Sequence, residues 1–70
     1  MRDGRYLIVV SGELGSRYER AFEGMKVVPR TGETEITGPI TDQLHLLGLL
    51  GRIADLALSI LRVTALDNDA

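Results

Sequence analysis

The chain is expected to fold as an α+β domain of the ferredoxin-like, split βαβ kind: a four-stranded antiparallel sheet with two helices on one face. Three observations lead there. Strand-like apolar runs and helix-period runs succeed one another in the order β-α-β-β-α-β. Glycine and proline fall at the joins, at Gly12, Gly24, Gly32 and Gly38-Pro39. The segment from Thr37 to Leu66 is one leucine-rich unit of turn, long amphipathic helix and closing strand. Right-handed crossovers would put both helices on one face, with the first strand inside the sheet.

The first strand, Arg5 to Ser11, is continuously apolar, rich in β-branched residues and ended by Gly12. Leu7 and Val9 point one way and Tyr6, Ile8 and Val10 the other, toward the face that the helices would leave open to water or to a partner. A short helix follows, announced by Ser16 and Glu19 as a capping box, with Tyr18, Ala21 and Phe22 as its apolar stripe and Gly24 as its stop. So short a helix depends on packing for its stability. Met25 to Arg30 is the next strand, and Pro29, which cannot donate to a ladder, places it at a sheet edge. Thr31-Gly32 turns the chain into the alternating strand Glu33 to Thr37, which Gly38-Pro39 ends.

The long helix is expected from Asp42 to Leu58, with Thr41 or Asp42 as its N-cap. His45, Gly48, Arg52, Asp55 and Ser59 share one polar arc, and Leu46, Leu47, Leu50, Ile53, Ala54 and Ala57 centre the opposite, core-facing side. Leu49 and Leu56 lie beside His45 at the margin of the polar arc, where the core does not account for them. Ile60 to Leu66 closes the sheet, with Leu61, Val63 and Ala65 alternating against Arg62 and Thr64. The whole is one domain over 1–70, with an ordered core over 4–66 and a polar tail, Asp67 to Ala70.

A chain of 70 residues without cysteine has one small core and no disulfide to reinforce it, which leaves partner subunits as the available supplement. The missing thiols also fit a reducing, cytoplasmic setting. A net charge of −2 argues against a general nucleic-acid binder. The basic pair Arg17 and Arg20 is interleaved with Glu13, Glu19 and Glu23, as on a solvated face. The N-terminus lacks the long apolar stretch of an export signal. Arg52 and Asp55 interrupt the leucine-rich segment well short of a membrane span.

The C-terminal half resembles an ending found in many small prokaryotic proteins of about this length and of unknown function. The residues that carry the likeness are Gly38, Pro39, Asp42, Gln43, Leu49, Leu50, Arg52, Ile53, Asp55 and Leu56. The resemblance implies a short α+β module and no activity. Members often carry histidine just before the helix glycine, where this chain has Leu47, so no role passes to His45.

Candidate chemistry is sparse. His45 and Asp42 could form the orienting half of a general base, or be a solvent-facing histidine beside a capping aspartate, and no nucleophile or third ligand is paired with them. Gly12-Glu13-Leu14-Gly15-Ser16 enters a helix N-terminus, but it lacks a P-loop lysine and carries Glu13. Gly48-Leu49-Leu50-Gly51 matches a GxxG spacing but lies inside one helix, where close approach of another backbone is the better account. An RNA-binding sheet would need more aromatics than Tyr6.

Arg52 and Asp55 can pair on the helix surface, flanked by Leu49 and Leu56, as at the charged rim of an interface. The functional expectation is a non-enzymatic module, with no cofactor or metal, that forms a homodimer or binds another protein through Tyr6, Ile8, Val10, Leu49, Arg52 and Leu56. A small-ligand-sensing regulatory module is the alternative, on fold analogy alone. An enzyme with a site near His45 comes third.

Overall fold

A computed structural model of the chain describes residues 4–22 and 24–66, with only the backbone described at Ser16 and Arg17. The expected polar tail, Asp67 to Ala70, and Glu23 lie outside these residues. Four strands, β1 (Gly4–Ser11), β2 (Lys26–Arg30), β3 (Glu33–Ile40) and β4 (Ile60–Leu66), form one sheet in the order β2-β3-β1-β4. Every neighbouring pair is antiparallel. Between β3 and β4 runs α1 (Gln43–Asp55), and the molecule is an α+β fold with one α-helix among the described residues. No described helix is long and apolar enough to cross a membrane.

Where a first helix was expected, the chain makes a single 3-10 turn, Ser16–Glu19. The capping box does not form, because the cap position falls on Gly15, which has no side chain to offer. The apolar stripe still does its work: Phe22 is fully buried, with Tyr18 and Ala21 packed against the core beside it. The preceding loop is pinned by Thr34, a buried polar side chain on β3. Its hydroxyl accepts from Leu14 N–H at 2.8 Å and donates to the Gly12 carbonyl at 2.7 Å.

β3 runs three residues beyond its expected end, through Gly38 and Pro39 to Ile40. The extension pairs Ile40 with Gly4 of β1, while the β2 pairing has already stopped at Lys26 opposite Thr37. Proline is tolerated there because that stretch of β3 has no β2 residue to receive a ladder hydrogen bond. Gly38 has its own reason: a Cβ at this position would lie 2.5 Å from Met25 Sδ and 3.1 Å from the Gly24 carbonyl oxygen.

The core lies on one face of the sheet. Ile8 and Val10 of β1, Val27 of β2 and Ile36 and Ile40 of β3 meet Leu14, Phe22, Leu49 and Ile53. This corrects the expectation that Tyr6, Ile8 and Val10 stand on the open face. The register explains it. Ile8 is opposite Ile36 and Val10 opposite Thr34, whereas Leu7 and Val9 are opposite Thr37 and Glu35. Paired residues share a face, so the alternation of β3 decides which side of an all-apolar β1 is buried. The open face carries Glu35, with Lys26 and Arg30 from β2 and Arg62 from β4, over a buried Val9.

The helix also sits differently from its expected phase. Its stripe is Leu46, Leu49, Leu50 and Ile53, at helical spacings of three and four. Leu49, expected at the margin, is only 8% exposed, while Leu47, expected in the core, is 52% exposed. Phe22 supplies the cover for Leu49, turning α1 toward the 3-10 turn. The helix ends at Asp55 rather than Leu58. Leu58 N–H donates to the Ile53 carbonyl and Ala57 N–H to that of Ala54, with Ala57 at φ 62°. That is the Schellman termination, here with alanine where glycine is usual. Gly48 and Gly51 do not receive another backbone, since no atom lies within 4 Å of an added Cβ at either position.

Candidate association edge and a helix–turn cleft

Of the six residues expected at an interface, Ile8, Val10 and Leu49 are in the intramolecular core and Tyr6 packs against it. A side chain already enclosed by its own chain cannot also cover a partner, so Ile8, Val10 and Leu49 leave the candidate surface, while Tyr6 keeps part of its surface exposed. Leu56 is 38% exposed and Arg52 is exposed. Arg52 does not reach Asp55: its Nη1 donates to the Ala21 carbonyl at 3.1 Å, tying α1 to the end of the 3-10 turn.

Exposed apolar surface concentrates elsewhere. β4 is exposed from Ile60 to Ala65, and Leu61 and Val63 show 53% and 41% of their surface. Val63 and Ala65 share the helix side of the sheet with Ile8 and Tyr6, their β1 partners. The register shifts between Val9 and Val10, leaving Leu61 as the extra residue of a bulge. On α1, Arg52 and Leu49 face the 3-10 turn, so Leu47 lies on the opposite flank, toward the β1–β4 half of the sheet. The exposed apolar side chains of β4 therefore lie along an uncovered sheet edge.

The two sheet edges are built differently. β2 carries Lys26, Pro29 and Arg30 in five residues, the charge and proline that block strand addition. β4 carries Arg62 alone among Ile60, Leu61, Val63, Thr64, Ala65 and Leu66. Sequence reasoning missed this edge because it treated β4 as ordinary closing structure. The contrast between the two strands was the available signal.

The candidate acid–base pair has structural tasks. Asp42 caps α1, its Oδ1 accepting from His45 backbone N–H at 2.8 Å. The imidazole turns instead to Thr41, whose N–H donates to Nδ1 at 3.1 Å. Asp42 thus does not orient the ring. The glycine loop is likewise occupied: Gly12 N–H donates to the Gly32 carbonyl, and the Glu13 carboxylate accepts from Gly32 N–H at 2.9 Å. No group of three or more His, Asp or Glu side chains is placed to hold a metal among the described residues.

His45 and Arg52 do come together, at one cleft. It lies between α1 and the end of the 3-10 turn, measures about 320 Å³, and is floored by Phe22 and Leu49 with Arg20, His45 and Arg52 around it. Gly48 lines it from the helix.

No curated protein and no solved structure matches the chain. A family model does, over residues 5–64, from the first strand into the last. The chain therefore belongs to the family described as Domain of unknown function (DUF8691).

Proposed function

We propose that this protein is a small non-enzymatic association module that forms a homodimer by joining β4 edges. The observation that carries the reading is the unprotected apolar edge of β4. An edge strand presents unpaired backbone donors and acceptors, and a second strand satisfies them. β4 is also suited to pair with itself. With Val63 on a two-fold axis, the strands run antiparallel, Val63 faces Val63 and Arg62 faces Thr64, so no like charges meet. The bulge at Leu61 confines the regular pairing about this axis to Arg62–Thr64.

We further propose that the architecture is a ferredoxin-like split βαβ whose first helix has shrunk to one 3-10 turn. The strand order β2-β3-β1-β4 and the wholly antiparallel pairing support that reading.

Size-exclusion chromatography with light scattering at tens of micromolar tests the association. The expected mass is a dimer for the wild-type chain and a monomer for Val63→Lys, with the circular dichroism spectrum retained because Val63 lies outside the core. A wild-type monomer, or a dimer that Val63→Lys leaves intact, overturns the proposal.

A further inference from the structure

We infer that the cleft between α1 and the 3-10 turn is a binding site for a small organic oxyanion, a carboxylate or phosphate carried on an apolar body. Its donors share one polarity. Arg20 and Arg52 bring two guanidinium groups, and among the described residues no aspartate or glutamate lines the cleft. In a chain of net charge −2, this is a local concentration of positive charge.

Two of the three donors are held in place. Arg52 has one Nη1 hydrogen bond to the Ala21 carbonyl, which fixes the guanidinium at the cleft and leaves its remaining N–H groups available. His45 accepts the Thr41 N–H at Nδ1, which leaves Nε2 as the ring nitrogen free to donate, and the residue borders the cleft. Guanidinium groups match carboxylate and phosphate oxygens in a planar, two-point geometry.

An apolar side chain sets the other half of the ligand. Leu44, 78% exposed, borders the cleft beside the enclosed Phe22 and Leu49 and is the apolar surface open to a ring or short aliphatic body. A volume near 320 Å³ is that of a small-molecule site rather than a macromolecular groove. Gly48 then acquires a reason. Glycine within a helix costs about 1 kcal/mol relative to alanine, nothing packs where its side chain would be, and it borders the cleft. A side chain there would fill the space.

NMR titration of the full chain at low ionic strength tests the inference, with phenyl phosphate, benzoate and uncharged benzyl alcohol as probes. At least one anion is expected to give saturable shifts of the His45 ring and Arg52 side-chain signals, and to bind about tenfold or more tightly than the alcohol, the difference one charge-assisted contact makes. Saturation by one anion and not the other assigns the oxyanion. Arg20→Gln, at an exposed position, is expected to weaken binding about tenfold. Gly48→Leu is expected to abolish it while the fold is retained. Equal binding of anion and alcohol, no saturable shift at millimolar concentration, or wild-type binding by both variants overturns it.

Discussion

Ala57 shows how much a single backbone conformation can carry. It is the one residue other than glycine with positive φ among those described, and it closes α1 by donating to the Ala54 carbonyl. The left-handed region crowds a Cβ against the following carbonyl, a penalty glycine does not have. Ala57→Gly is therefore expected to stabilise the fold by about 0.5–1 kcal/mol, after allowing for the greater freedom glycine has when unfolded. Urea denaturation reads this directly, and a loss of stability would show that the termination is under no strain. Gly38 is the opposite case. Its missing side chain makes room for Met25 and the Gly24 carbonyl, so a residue in the recognised sequence pattern has a steric explanation. Asp42 has one too, as the α1 cap, and Leu49, Leu50 and Ile53 lie on the helix's inward stripe.

Helix α1 departs from what its wheel suggested because a wheel locates a polar arc but not the neighbour a helix leans on. Leu49 falls beside His45 on any projection, yet Phe22, just after the 3-10 turn, joins it in the core. Arg52, nominally solvent-facing, anchors the same side through the Ala21 carbonyl. The helix rotates away from β4, and Leu47 is left in water. Its two glycines follow the same logic. Gly51 is exposed with open space around it and does not border the cleft, so nothing in the structure requires it. Gly51→Ala is expected to add about 0.8–1 kcal/mol, which in a domain of 70 residues raises the melting temperature by roughly 4–8 °C. Thermal unfolding followed by circular dichroism checks it. An unchanged or lower melting temperature would mean that Gly51 has a task outside the folded monomer.

At the scale of the whole molecule, the described residues hold four strands and one α-helix to cover them. The core gathers where α1 and Phe22 meet β1, β2 and β3, and the β4 side keeps exposed Ile60, Leu61 and Val63. A chain this small has little stability to spare, so covering that edge should be felt globally. If β4 joins β4, the melting temperature is expected to rise with protein concentration, because association draws on the folded state only. Val63→Lys should remove the dependence, and a wild-type melting temperature independent of concentration would count against the dimer.

Local pattern was enough to place all four strands, the hairpin turn at Thr31-Gly32, a cap at Thr41 or Asp42 and the existence of α1, since strand and helix periods and capping residues are properties of neighbouring positions. β4 was legible to the residue, from Ile60 to Leu66. Packing settled which face of β1 is buried, which flank of α1 is inward and which sheet edge is left open. β1 is apolar on both faces, so only its register with the alternating β3 could choose Ile8 and Val10 over Leu7. The inward flank of α1 depended on Phe22, and the cleft on Arg20 meeting His45 and Arg52 across the fold. These choices belong to contacts between distant residues, whose energies no local periodicity contains.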